Sequence, residues 1–387
     1  MQNNSDNGNQ YSQPENQAQN QPQNQYYQQP NQYQQYPQYQ QYGQYPQYGY
    51  WQYPYYQNQY QPYNFNGYQF FDNNYYQIQK AKTALKGHSI RIGLCILAFL
   101  ASPFILSLFL ELFSLFDLYA QSTVFQYSVE LIYSVLFLFL PFFLVYCFKN
   151  KEEKKEIAKG FDKPKSPLLA VTSIGFGLML CFCGDYISSW ISAIFSSFGV
   201  TLTSTSEVSI PTSGMPLFLF FVSTAIAPAI IEEFAMRAVV MQPLRKYGDR
   251  FAIIVTAIVF GLMHRNAVQG IFAFIAGVVF GYISVATKSI WTAVIVHSLN
   301  NAVYVVFNVV NEISADFFEK AYPLFLIAVF VIGIICAVPF ILSSKREKLS
   351  KASLIPDAGQ KTKAFFLTIP MVISVIWMLI YTLLVQI

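Results

Sequence analysis

The chain has 387 residues, of which 54% are hydrophobic and only 11% are charged. Soluble domains are about one quarter charged, so this composition excludes an ordinary soluble fold and is typical of a polytopic membrane protein. The formal net charge is only +4, and the basic residues lie in short connecting segments, which argues against nucleic-acid binding. The five cysteines lie in or beside apolar segments without ligand or disulfide spacing, and we interpret them as small apolar residues.

The amino-terminal segment, residues 1–74, consists almost wholly of Gln, Asn, Tyr and Pro. Without aliphatic periodicity it has no means of building a core, which predicts a disordered tail. We expect it to act as a tether or to bind a partner that the sequence does not identify. It lacks the basic and apolar regions of a signal peptide.

Residues 75–91 are basic and predict a juxtamembrane linker.

From residue 92 onward, apolar runs recur at about the length that crosses a bilayer as a helix. They predict an all-α, polytopic transmembrane helical bundle of eight or nine spans. We divide it into amino-terminal helices (92–215), a central core (216–309) and carboxyl-terminal helices (310–387). The predicted spans are 92–115, 129–148, 168–195, 216–241, 252–264, 268–286, 290–309, 322–342 and 364–386. The segment 252–264 is shorter than a full crossing, which favours a re-entrant or bent helix.

The charges of the loops predict how the bundle is oriented. The loop 149–165, the Arg245-Lys246 turn, Lys288 and the segment 345–348 all fall on one side of this layout. Since loops rich in Lys and Arg stay in the cytoplasm, we expect a multi-pass protein of the cell membrane. Nine crossings put its amino-terminal tail in the cytoplasm and its carboxyl end outside.

A group of ionisable side chains interrupts the apolar segments of the central core. Glu233 and Arg237 are four residues apart, so they share one helix face and can pair. Glu232 points about a hundred degrees away and is the carboxylate without a local partner, which suits a general base. The alternative is that the three residues form a structural polar cluster or interfacial anchor.

Two of the three histidines, His264 and His297, belong to the same core, whereas His88 lies in the polar approach to the first span and needs no special role. His297 and Asn301 share a helix face, and Asn300 is expected to face elsewhere. Glutamate with histidine can deprotonate a water, and an imidazole with an amide can stabilise an oxyanion, as peptide hydrolysis requires. Carboxylates and imidazoles also bind divalent metals such as zinc.

The order Glu-Glu-x-x-x-Arg, Phe-x-x-x-His and His-x-x-x-Asn over successive helices resembles the CPBP family, also called the CAAX prenyl protease type II or Abi family. The resemblance covers about residues 216–309, and the matching residues are Glu232, Glu233, Arg237, Phe260, His264, His297 and Asn301. It implies an all-helical intramembrane protease in which Glu232 and His264 activate water. His297 and Asn301 would stabilise the tetrahedral intermediate, while Glu233 and Arg237 organise the helix.

The mechanism stays open between a metal-free glutamate protease and a metalloprotease. In the second case a divalent metal, with zinc as the natural choice, would be held by Glu232, His264 and His297. The expected substrate is a membrane-associated peptide or protein, lipidated or not, cleaved in the cytoplasmic part of the bilayer. The main alternative is a non-catalytic scaffold that recruits partners through its tail. A proton-coupled carrier is disfavoured because no inverted repeat of interrupted helices is evident.

Overall fold

The structure is a computed structural model that describes residues 66–200, 202, 210–352 and 356–386. The predicted disordered tail up to residue 65 lies outside this range. Within it the chain forms helices and turns without any strand, which confirms the predicted all-α class. The helices are α1 (Asn66–Leu112), α2 (Phe116–Gln121), α3 (Thr123–Cys147), α4 (Lys151–Ala158), α5 (Pro167–Ser197), α6 (Gly214–Tyr247), α7 (Asp249–Met263), α8 (Ala267–Thr287), α9 (Ile290–Ile313), α10 (Ala315–Leu342), α11 (Ala358–Phe366) and α12 (Ile369–Gln386).

Seven helices of the described part, α1, α3, α5, α6, α8, α9 and α10, are long and apolar enough to cross a membrane. An eighth span is added if α11 and α12, which meet at 78°, are counted together. The predicted count of nine is reached only by adding α7. At 15 residues, α7 is shorter than the roughly 20 residues that a crossing needs.

The first helix begins earlier than the sequence indicated. The structure continues α1 back to Asn66, so the predicted linker 75–91 is helical and runs without a break into the first span. The basic residues of this stretch alternate with good helix formers such as Ala and Leu. Leu85 and His88 are also buried, so the stretch packs against the bundle as a helix would.

The hairpin of α7 and α8 lies at the centre of the bundle. In the apolar part of α8, 61% of the residues are buried, against 17% in α3 and in α10. The two arms approach closely near their connection, since a Cβ added at Gly261 would lie 2.7 Å from the carbonyl oxygen of Gly270. Asn266 caps α8 by accepting a hydrogen bond from the backbone N–H of Gln269 at 3.0 Å. This close approach fixes the tip of the hairpin, where His264 lies.

One end of the bundle carries most of the charged contacts between loops, and we call it the charged face (residues 149–166, 245–250, 288–289 and 343–352). Glu347 lies 2.8 Å from Lys288 and 3.7 Å from Lys165. Asp249 joins the start of α7 to Ser350, which follows α10. Both ends of the α7–α8 hairpin therefore lie at the charged face, and its tip points into the bundle.

The long helix α6 departs from regular α geometry on both sides of its polar motif. Residues Val222–Ile226 and Phe234–Met241 are π-helical, with Pro228 and the two glutamates between them. Proline cannot donate the backbone hydrogen bond of a regular helix. A π turn also holds more residues than an α turn, which rotates the side chains that follow it. The side-chain directions in α6 therefore differ from those that regular 3.6-residue spacing predicts.

Gly261→Ala should lower the thermal stability of the detergent-purified protein, because the added methyl group must push against the backbone of α8. Overpacking of this kind typically costs about 1–3 kcal/mol. Gly87→Ala is the matched control, since no atom lies within 4 Å of a Cβ added there. That change should be stabilising by about 0.5–1 kcal/mol, as a helical glycine with open space at its Cβ position predicts. Equal melting temperatures for the two variants would contradict the close approach.

Asp249→Asn should destabilise the protein by about 1–3 kcal/mol at neutral pH. The carboxylate accepts hydrogen bonds from Arg245 Nε at 2.7 Å and from the backbone N–H and hydroxyl of Ser350 at 2.8 and 2.9 Å. Burial alone raises the pKa of Asp249, but these bonds outweigh it and lower the pKa below the ordinary 3.8.

Because the pKa is lowered on folding, the stabilisation is complete above the unfolded-state pKa and is lost as the pH falls through the folded-state value. The difference in melting temperature between wild type and Asp249→Asn should therefore be constant above about pH 4 and shrink below it. Asp316→Asn, which removes an exposed ion pair with Lys320, should leave the melting temperature unchanged.

Candidate active site

A fully buried ion pair on α6 forms the base of the site. The carboxylate of Glu233 lies 2.8 Å from Arg237 Nε and accepts a hydrogen bond from its Nη2 at 3.3 Å, and neither side chain is exposed. The guanidinium lies between the rings of Phe260 and Phe280, at 5.5 and 5.7 Å from their centroids. Such a position favours a cation through the negative faces of the rings. The pairing predicted from the four-residue spacing is present.

His297 on α9 joins this pair to the second glutamate. Its Nδ1 donates to Glu233 at 3.2 Å, and its Nε2 lies 3.8 Å from a carboxylate oxygen of Glu232. The ring stacks on Phe280 with centroids 4.8 Å apart. Glu232 was predicted to point away from Glu233, yet both carboxylates approach the same imidazole. Glu232 keeps 21% of its side chain exposed, and it is the glutamate that a water can reach.

His264 lies at the end of α7, at the tip of the hairpin. Its Nδ1 donates to the backbone carbonyl of Phe260 at 2.8 Å. This hydrogen bond assigns the proton of the neutral ring to Nδ1 and leaves Nε2 free to accept one. The ring of Phe260 meets His264 edge to face at 4.9 Å and His297 at 6.1 Å. One aromatic side chain therefore positions both imidazoles.

Asn301 is one turn beyond His297 on α9. Its Nδ2 donates to the carbonyl of Thr224 at 3.1 Å, which leaves the second amide hydrogen available. The prediction that Asn300 faces elsewhere was wrong, because Asn300 Nδ2 lies 3.4 Å from Asn301 Oδ1 and both residues line one cavity. A separation of about a hundred degrees on a helix does not keep adjacent amides from a wide cavity.

The cavity has a volume of about 780 Å³ and is lined by His264, Asn300 and Asn301 at its inner part. It extends past Asn311 and Phe318, which lie near the connection between α9 and α10, the end of the bundle opposite the charged face. The 15 residues of α7 place His264 about 22 Å along the helix axis from the charged face. The expectation that cleavage takes place in the cytoplasmic part of the bilayer stays a prediction.

The predicted metal ligands have the right chemistry but do not converge. Among the residues that the structure describes, no three His, Cys, Asp or Glu side chains are grouped so that they could hold a metal ion. His297 and His264 each use Nδ1 for a protein hydrogen bond, to Glu233 and to Phe260, which leaves Nε2 as the nitrogen that would face a metal. The zinc site of Glu232, His264 and His297 stays a prediction.

Two polar residues contribute more than the sequence indicated. His88 was given no special role, but it is buried and its Nε2 donates to the carbonyl of Val240 at 3.1 Å, which joins α1 to α6. Asp185 was not considered, although it lines the same cavity as His264. A lone carboxylate in the otherwise uncharged stretch of α5 was the signal that could have revealed it.

A bundle of membrane-length helices around a cavity lined by a carboxylate, an imidazole and amides defines a multi-pass membrane protein with a polar interior site. Residues 214–303 match the family model described as type II CAAX prenyl endopeptidase, Rce1-like. This match falls on the central core and confirms the resemblance to the CPBP or CAAX proteases that the sequence motifs indicated.

The chain is similar to the membrane-embedded CAAX protease MroQ of Staphylococcus aureus (strain USA300). The two are 27% identical over 201 residues, which cover 48% of this chain and 79% of the relative. A comparison with solved structures found no match.

Arg237→Met should destabilise the protein by about 3–5 kcal/mol, because it leaves the Glu233 carboxylate buried without its counter-ion. Adding Glu233→Gln should recover part of this loss, since the double variant removes both charges. The coupling is measured from the thermal or denaturant midpoints of the two single variants and the double variant. Arg250→Met, at an exposed position, is the control for loss of an arginine. Additive effects of the two buried changes would show that the pair does not interact.

Proposed function

We propose that the chain is an intramembrane endopeptidase that hydrolyses a peptide bond in a membrane-associated, lipidated or unlipidated, protein or peptide. The observation that carries the proposal is the arrangement around His297. The imidazole contacts two carboxylates, one fully buried and paired with Arg237 and the other, Glu232, partly exposed. A purely structural cluster has no need of the second carboxylate, whereas a hydrolase needs a base that water can reach.

In the proposed mechanism Glu232 accepts a proton from the attacking water. His264 helps to hold that water through Nε2, because its Nδ1 proton is committed to Phe260. The water oxygen attacks the carbonyl carbon of the scissile bond, and the carbonyl oxygen becomes an oxyanion. The proton taken up by Glu232 then passes to the departing amine as the C–N bond breaks.

Asn301 and His297 stabilise the oxyanion. Asn301 offers the amide hydrogen that Thr224 does not accept. His297 donates through Nε2, which must then carry a proton, since Nδ1 already donates to Glu233. Glu233 and Arg237 act on the reaction indirectly, because they fix the orientation of this ring.

We further propose that the charged face lies in the cytoplasm, since it gathers the lysine-rich loops. The amino-terminal tail then also lies in the cytoplasm, because Ala81 near the start of α1 accepts a hydrogen bond from Tyr247 at the charged face. A partner of the tail would be met on that side of the cell membrane.

The test is cleavage of a library of lipidated and unlipidated peptides by the detergent-purified protein, with products identified by mass spectrometry. Glu232→Gln and His264→Ala should each lower kcat by about 10²–10⁴-fold, the usual contribution of general acid–base catalysis. Glu130→Gln is the matched control, because this carboxylate lies on α3 and accepts a hydrogen bond from Gln126. It should retain wild-type activity, and all variants should keep the wild-type melting temperature.

Two further results distinguish the alternatives. Loss of activity on treatment with a chelator, restored by zinc, would replace the glutamate mechanism with a metal held by Glu232, His264 and His297 after rearrangement. Unchanged cellular function of Glu232→Gln, together with loss of that function on deletion of residues 1–65, would support the scaffold and overturn the protease.

A further inference from the structure

The cavity that holds His264 and Asn301 contains a second ionisable group that the proposed mechanism does not use. Asp185 lies on α5, and its side chain lines the cavity. The residues of α5 from Pro167 to Ser197 include no other charged side chain. Asp185 is exposed towards the cavity in a helix long enough to cross a membrane, where a carboxylate is costly unless it is neutralised or hydrated. Such residues generally mark a functional site.

Asp185 has no cationic side chain beside it in the described lining of the cavity. The described residues that line the cavity include no Lys and no Arg, and His264 is their only histidine. Two buried carboxylates elsewhere in the bundle have cationic partners, Glu233 with Arg237 and Asp249 with Arg245. The carboxylate of Asp185 therefore faces any molecule that binds in the cavity.

Aromatic side chains surround the same part of the cavity. Phe307 meets Tyr322 edge to face at 5.0 Å, and Phe318 stacks on Tyr322 at 5.2 Å. All three line the cavity with Asp185. A carboxylate beside aromatic faces is the usual arrangement for binding a cationic group, since the ring quadrupoles and the anion attract the same charge.

We propose that Asp185 binds a cationic group of the peptide substrate, a lysine or arginine side chain or a free α-amino group. This inference rests on the proposed function, which it deepens by naming a feature of the substrate. The cationic group is held beside α10, and the peptide extends inward to Asn301 and Glu232. Asp185 is thus a specificity residue that sets which bond is presented, and it takes no part in the chemistry.

The first experiment compares cleavage of one randomised, unlipidated peptide library by wild type, Asp185→Asn and Asp185→Lys. Wild type should cut peptides that carry Lys, Arg or a free amino terminus at a fixed distance from the scissile bond. Asp185→Asn should lose this enrichment, and Asp185→Lys should exchange it for Glu and Asp. Glu130→Gln, the control carboxylate of α3, should keep the wild-type pattern.

Kinetics on a selected peptide then separate binding from chemistry. Replacing its basic residue by norleucine should raise KM about ten- to hundred-fold for wild type, the fold-change expected for a charged hydrogen bond. The same replacement should hardly change KM for Asp185→Asn, and kcat should stay within about twofold throughout. Recovery of Asp185→Lys on the peptide in which the basic residue is replaced by Glu would show that charge, rather than folding, is responsible.

A binding measurement keeps this inference separable from the proposed function. Fluorescence anisotropy measures the Kd of the selected lysine peptide for two proteins, the Glu232→Gln variant and the Glu232→Gln, Asp185→Asn double variant. If wild type cuts nothing, the probe is an apolar peptide that contains Lys. Weaker binding in the double variant supports the cationic site even if cleavage is absent and the protease proposal fails. Cleavage that shows the same amino-acid preferences in wild type and Asp185→Asn overturns the inference and leaves the protease proposal standing. Equal Kd values for the two proteins also overturn it.

Discussion

The site depends on an ion pair that no water reaches. A buried carboxylate and guanidinium are tolerated only while each neutralises the other, so Glu233 and Arg237 must keep their positions or the core of α6 carries an uncompensated charge. The pair is held further by two phenylalanines, one from each arm of the α7–α8 hairpin. His297 adds a fourth helix, α9, to the same group. Electrostatics and aromatic packing thus fix four helices around one point.

This arrangement separates a structural glutamate from a reactive one. Adjacent residues on α6 experience different environments, since Glu233 is enclosed and Glu232 is partly open. Both reach the same imidazole, although regular helical spacing directs them apart, because they approach different ring nitrogens, Nε2 for Glu232 and Nδ1 for Glu233. Two identical side chains in sequence thereby acquire different roles, which is the division that the proposed mechanism requires.

Helical spacing and apolar length together predicted the helical class and the Glu233–Arg237 pair. They could not predict contacts that depend on how helices face one another. The amide of Asn300 reaches the cavity because α9 borders a wide space, and His88 is buried because α6 supplies a carbonyl group to it. The basic stretch before the first span was interpreted as a linker because charge was weighed more heavily than its helix-forming residues. Asp185 was missed since a single carboxylate forms no motif.

The α7–α8 hairpin begins and ends at the charged face, so the depth of His264 is set from that surface by the length of a 15-residue helix. Bilayers differ in thickness by several ångströms, and the spanning helices adjust by tilting or by deforming the lipid. The hairpin has no anchor at the opposite surface and does not follow such changes. In a thicker membrane a peptide that comes from that surface must therefore extend further to meet the catalytic groups. Lipid composition could in this way select substrates by the reach of their extended segments.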